Sequence, residues 1–197
     1  MIYTGLTQGT GETTIDANER LLRAAISLIG ENGPDLLTHR MIAEEAGLSP
    51  GTATYHFSSL DVLIERAFAL YIADYESALE AALTAKPMRT LRDVTTFLTR
   101  MTALDASDAE LARIEYSMIL YARHNEALHD LVSHWSGLLQ GAVADGLRAA
   151  SAPSPDFLAG IAVSFCRGIE IEVLSKASKV DDSWMRSRLD AIFKLFD

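Results

Sequence analysis

In 197 residues the chain has one cysteine and five prolines. The single Cys166 excludes an intrachain disulfide and a cysteine-built zinc site, and it fits a reducing compartment. Long hydrophobic runs are missing too. LAGIAVSFC, 158–166, is among the longest uncharged apolar stretches, well short of the roughly 18 residues of a membrane span. The opening MIYTGLTQGTGETT carries no basic residue and no apolar block, so we expect no secretory signal and a soluble, cytoplasmic protein. No P-loop, dinucleotide glycine motif or Ser-His-Asp arrangement is visible, which argues against an enzyme and against a bound cofactor. Positive charge is scarce: 17 Lys and Arg against 27 Asp and Glu leave a formal net charge of −10. Such a chain is repelled by nucleic acid unless its cations are gathered locally.

What the chain does have is apolar residues, 49% of the total, in helical rhythm. Residues 1–15, rich in Gly and Thr, read as a flexible arm. From Asp16 the period becomes 3.6, and Leu21, Leu22, Ala25, Leu28 and Ile29 form one face. Asp16 and Glu19 have capping-box spacing, and Asn32-Gly33-Pro34 ends this first helix. A short second helix starts at Thr38, with Leu37 and Ile42 placed as a hydrophobic staple and Ile42, Ala43 and Ala46 turned inward. Gly47 ends it. Ser49 then reads as an N-cap, with Pro50 in the first helical position. Ser58 or Ser59 caps the following helix, which runs to about Leu83. Further helices are expected over 90–104, 108–123, 126–150, 156–178 and 182–196, with no strand and no repeat. The fold class is all-α, with about nine helices.

Two short helices joined by a tight glycine turn and braced by a third are the pattern of a helix-turn-helix. The third helix of the set, LSPGTATYHFSS (48–59), has an unusual composition. Pro50, Gly51, Thr52 and Thr54 keep its front end slim enough to approach base edges in a major groove about 12 Å wide. Threonine hydroxyls bond to bases or phosphates, and Tyr55 and His56 sit where an OH and an imidazole N–H reach phosphate oxygens. Ala53 and Phe57, four apart, face the core.

The stretch THRMIAEEAGLSPGTATYHFSSLDVLIERAF, 38–68, resembles the helix-turn-helix of the TetR family of transcriptional regulators. The resemblance rests on Thr38, Ile42-Ala43, Ala46-Gly47, Ser49, Gly51-Thr52 and Tyr55-His56-Phe57, about a third of the chain. It implies a helix-turn-helix domain over 16–58, a connector helix over 59–83, and a larger helical effector-binding and dimerisation domain over 84–197. It also implies a homodimer on a near-palindromic double-stranded DNA operator, released by a small-molecule effector. DNA contacts are then expected from Thr38, Arg40, Ser49, Pro50, Gly51, Thr52, Thr54, Tyr55 and His56. The chain departs from the family pattern at Thr54, where an aromatic phosphate contact is common, and at Leu60, where lysine is usual. Residues 1–70 hold four Arg, no Lys and nine acids, so binding should rely on hydroxyl, backbone and aromatic contacts.

Beyond residue 84 the motifs are weaker. Met101, Tyr116, Tyr121, Trp135 and Phe165, with the polar His134 and Glu170, have the composition of a ligand pocket in a helical domain. Few basic groups among them point to an apolar or cationic effector. Glu126 and His129 match the Glu-x-x-His spacing of di-iron bundles, but no second copy of the motif exists and no metal is expected. Cys166 reads as a packing residue. For the dimer, Ala159, Gly160, Ala162, Ser164 and Gly168 allow close helix approach, and Leu189, Ile192, Phe193 and Phe196 form a matching stripe. Intrachain packing satisfies the same pattern. Glu172 and Lys176 have the favourable order for an ion pair. The alternative reading is a helical ligand-binding or interaction protein with weak or no DNA binding.

Overall fold

The structure, a computed structural model, describes residues 16–176 and 180–194, except the side chains of 105–107 and 109. The arm expected over 1–15 and Phe196 lie outside the described residues. Nine α-helices and no strand are found among those described: α1 Ala17–Asn32, α2 His39–Glu45, α3 Pro50–His56, α4 Leu60–Ala85, α5 Leu91–Ser107, α6 Ala109–Ala122, α7 His129–Ala149, α8 Pro155–Lys176 and α9 Asp182–Lys194. None of them is long and apolar enough to cross a membrane.

Local chemistry sets the boundaries. The Asp16 carboxylate accepts from the backbone N–H groups of Asn18 and Glu19, satisfying two free donors of α1. Glu19 does not close a reciprocal box; it pairs with Arg23 at 3.1 Å, one turn further on. Gly33, at φ 78°, ends α1, and a 3-10 turn over Pro34–Leu36 follows. The Thr38 hydroxyl caps α2 by accepting from the Met41 N–H at 3.2 Å. At the start of α4 it is Ser59, not Ser58, that caps, accepting from the Val62 N–H at 3.2 Å. The helix expected over 126–150 is divided. A 3-10 turn over Glu126–Leu128, capped by Asn125, precedes α7, so Glu126 and His129 do not share one α-helical face.

The chain divides into two compact units, Met1–Leu79 with Glu110–Ser133, and Glu80–Ala109 with His134–Asp197. In the first, Leu21, Ala25, Ile29, Ile42, Ala43, Ala53, Phe57, Leu63, Ile64 and Phe68 form the core. Each large side chain buried there contributes roughly 1.5–3 kcal/mol. Ala46, expected inward, is only half-buried because it closes α2 at the turn. Chain order groups α6 with the C-terminal half, yet α6 packs in this first unit. Its Leu111, Ile114 and Met118 are buried, and side-chain hydrogen bonds hold it and the turn that follows. Arg113 donates to the Gly30 and Glu31 carbonyls at the end of α1. Tyr71 donates to Glu115 at 2.7 Å, Tyr121 to Asp61 at 2.6 Å, and Asn125 to Glu65 at 2.7 Å.

The second unit is built on Met88, Val94, Leu98, Leu139, Val143, Leu147, Leu158, Val163, Met185, Leu189 and Phe193. Cys166 belongs to this core as a packing residue. So do Ala159, Ala162, Leu189 and Phe193, with Ile192 packed against it. These residues, considered for an intermolecular stripe, are therefore consumed within one copy. The other small residues of that set, Ser164 and Gly168, are exposed and Gly160 is half-buried, on a side of α8 that also carries the exposed Phe157 and Ile171 and the half-buried Ile161. Lys176 pairs with Glu172 across one turn.

Candidate nucleic-acid interface

The turn between α2 and α3 is set by Gly47, whose φ of 64° suits a residue without a Cβ. Arg20 of α1 locks this turn from behind, donating to the Ala46 carbonyl at 2.6 Å and more weakly to that of Gly47 at 3.4 Å. Burial of Ala53 and Phe57 then fixes how α3 is rolled. What remains outward is Ser49, Pro50, Gly51, Thr54, Tyr55 and His56, all exposed, with Thr52 half-buried. Apart from its chain neighbours and its own helix backbone, nothing described lies within 4 Å of where a Cβ on Gly51 would be, so this end of the helix is open to an incoming surface. Tyr55 is a large aromatic, yet it is 85% exposed. Its ring meets that of His56 edge-on, with centroids 5.3 Å apart.

The hydroxyls are differently occupied from what the spacing suggests. Ser49 stands at the N-cap but makes no capping bond to a backbone amide. Its hydroxyl pairs with that of Thr52 at 2.7 Å, while the Thr52 N–H donates to the Ser49 carbonyl at 2.9 Å. Thr54 donates back to the Gly51 carbonyl at 3.0 Å. Thr38, exposed, has its hydroxyl in the α2 cap and presents its methyl and remaining lone pair. Arg40 is exposed, but its guanidinium is held by Glu44 at 2.8 Å. That contact raises the Arg40 pKa above its usual value. Glu44 is the residue that the motif reading overlooked; its four-residue distance from Arg40 was the available signal. Arg23 is likewise engaged, with Asp74 at 2.6 Å and with Glu19.

The residues singled out for an effector fall in both units. Tyr116 and Tyr121 are half-buried in the first. Tyr121 holds Asp61 and lies against the Phe68 ring, and burial together with Asp61 pushes its phenol pKa well up. Its hydroxyl thus ties α6 to the start of α4. In the second unit Met101, Trp135 and Glu170 are buried, Phe165 is half-buried and His134 is exposed. The Arg167 guanidinium lies 4.9 Å from the Trp135 ring centroid, and Phe165 stacks on Trp184. Among the described residues no group of three or more His, Cys, Asp or Glu is placed to hold a metal ion.

A slim, open recognition helix behind a glycine turn, on a three-helix core, defines a helix-turn-helix DNA-binding protein. The profile of bacterial regulatory proteins of the tetR family matches residues 21–67, and that of the tetracyclin repressor-like C-terminal domain matches 89–195. The chain belongs to the TetR family of transcriptional regulators. Solved structures carry the same architecture. A transcriptional regulator from Rhodococcus sp. Rha1 is 17% identical, with a TM-score of 0.74 over 92% of this chain and 96% of that one. A TetR-family member from Streptomyces coelicolor A3 is 25% identical, with a TM-score of 0.67 over 90% and 98%. The multidrug binding protein EbrR, solved with ethidium, is 24% identical, with a TM-score of 0.70 over 90% and 98%. No curated protein matches the chain in sequence.

Proposed function

We propose that this regulator is a dimeric, ligand-responsive repressor that acts by binding, without catalysis, in the cytoplasm. The observation that carries the DNA-reading role is the exposed, unobstructed front of α3. Pro50, Gly51 and Thr52 approach base edges, while Tyr55 and His56 meet phosphates. Thr38 and Arg40, at the start of α2, grip the backbone beside it.

The effector is a small apolar or cationic molecule. In support, the second unit carries the buried apolar side chains of Met101 and Trp135, and few basic groups stand among the residues expected to line the site. EbrR, of similar architecture, was solved with ethidium, an aromatic cation. Two copies meet through the exposed side of α8, where Phe157, Ile161 and Ile171 stand among Gly160, Ser164 and Gly168. Effector binding shifts α4, which leads from the helix-turn-helix toward the second unit, and changes the separation of the two recognition helices.

The test is capture of sheared genomic DNA by the purified protein at about 100 mM salt, followed by sequencing, with salt held constant because phosphate contacts make affinity depend on it. An enriched near-palindrome that is lost with Tyr55→Ala supports the repressor. Absence of enrichment, there and at lower salt, overturns it. A second reading, a ligand-binding or interaction protein of the same fold without DNA function, is favoured by one observation. Of the four arginines in residues 1–70, Arg20, Arg23 and Arg40 are all engaged by the protein itself. That reading requires Tyr55→Ala and Thr52→Ala to leave nucleic-acid binding unchanged.

A further inference from the structure

The cations that the DNA-reading half lacks are concentrated elsewhere. Segments 86–100 and 186–194 together hold Lys86, Arg89, Arg92, Arg100, Arg186, Arg188 and Lys194 against only Asp93 and Asp190. Seven of the chain's 17 cations therefore occupy two short stretches of a protein whose net charge is −10. The fold brings these stretches together. Thr95 of α5 donates to Asp190 of α9 at 3.0 Å, and Arg186 of α9 donates to Thr96 of α5 at 2.8 Å.

Between the two helices lies a half-open groove of about 460 Å³ lined by Leu91, Arg92, Thr95, Arg186, Asp190, Phe193 and Lys194. That size falls within the roughly 300–1,000 Å³ of small-molecule sites. Phe193 is 2% exposed and Leu91 half-buried, giving an apolar floor. Arg92, Arg186 and Lys194 contribute three positive charges against the single carboxylate of Asp190, which already accepts from Thr95. None of the three cations forms an ion pair among the described residues. Three unpaired like charges around one concave site repel one another, and an anion relieves that repulsion. The two arginines add planar donor forks suited to a carboxylate or phosphate.

We propose that the α5–α9 groove binds a small amphipathic acid, its carboxylate or phosphate held by Arg92, Arg186 and Lys194 and its aryl or alkyl body resting on Leu91 and Phe193. This is a second ligand site, of opposite charge preference to the effector inferred above and independent of it. It is also compatible with a dimer through α8. Arg186, Asp190 and Phe193 fall on one stripe of α9, toward α5, whereas Trp184, Arg188 and Ala191 fall on the opposite one. A bound acid would bridge α5 and α9 and stabilise the second unit.

The test is titration of the full chain by calorimetry with phenyl phosphate, 3-phenylpropionate, inorganic phosphate and benzylamine. The expected result is binding of at least one of the two aryl acids with Kd below about 1 mM. Inorganic phosphate should bind at least about tenfold more weakly for want of apolar contact. The response to the two aryl acids separates a phosphate preference from a carboxylate preference. The double variant Arg92→Gln/Lys194→Gln, at exposed positions whose loss leaves the core intact, should weaken acid binding at least about tenfold. Phe193 is left in place because it belongs to the core. Acid binding unaltered in that double variant would place the acid elsewhere and overturn the proposal. So would failure of both aryl acids to bind, or benzylamine binding as tightly as they do.

Discussion

Tyr55, 85% exposed, lies outside the core, so its removal should cost the fold little. We expect Tyr55→Ala to leave the thermal midpoint unchanged and to weaken operator binding about tenfold, nearly equally across sequences, as the proposed contact to phosphate rather than to a base requires. A fluorescence-anisotropy titration measures both the loss and its uniformity. Thr52→Ala, at the end proposed to face the bases, should instead alter the preference between operator variants. Glu44 acts in the opposite sense. It holds Arg40 at 2.8 Å on the face where phosphate would bind, so it both withdraws a cation and adds repulsion. Glu44→Gln should tighten DNA binding about three- to tenfold and steepen the dependence on salt by about one unit. A variant that binds no better would show that Arg40 does not reach the backbone.

At the scale of elements, two devices determine whether the helices stand where they must. Gly47 takes φ 64°, and a Cβ there would also lie 3.2 Å from the Arg20 guanidinium that pins the turn. Gly47→Ala should destabilise the first unit by about 1–2 kcal/mol, read as a lower midpoint in urea, and weaken DNA binding because α3 is no longer held against α2. The second device is the start of α5, where the Asp93 carboxylate accepts from the N–H groups of Arg89 and Thr90 and from the Thr90 hydroxyl. These bonds, the Thr90 hydroxyl foremost, hold the Asp93 pKa below its usual value. A carboxylate whose folded pKa is depressed stabilises the fold above its unfolded pKa of about 4 and loses that contribution as pH falls through the lower folded value. The stability difference between the parent and Asp93→Asn should therefore be constant at neutral pH and shrink below about pH 4, as followed by urea melts across pH.

For the whole molecule, the surface proposed for the dimer is the side of α8 that its own unit leaves uncovered. Ile171 is 53% exposed and Phe157 is 59% exposed, on the same helix as small residues that permit close approach. In a two-fold dimer each copy presents this patch to itself, so one substitution places like charges face to face. Ile171→Lys should convert the dimer to a monomer in sedimentation at micromolar concentration, leave helix content unchanged, and reduce operator binding to that of a half-site. A dimer that survives this change would move the interface elsewhere.

Much of this molecule is settled within a few residues of chain. The spacing of Leu21, Ala25 and Ile29, the stops at Gly33 and Gly47, and the caps at Asp16 and Thr38 determine where the early helices begin and end, because helix signals are local. The outward set on α3 was readable for the same reason: with Ala53 and Phe57 turned inward, geometry leaves Tyr55 and His56 outside. Three matters were decided only in the folded chain. Arg20 and Arg113 cap backbone carbonyls 26 and 83 residues away, ties that no local pattern announces. Leu189 and Phe193 fill an intrachain core, since an amphipathic stripe says that a helix buries a face but not against what. The basic groove exists because 86–100 and 186–194, about a hundred residues apart, pack side by side. Periodicity is a property of one element, whereas partners are chosen by the whole set of apolar faces that must be buried together.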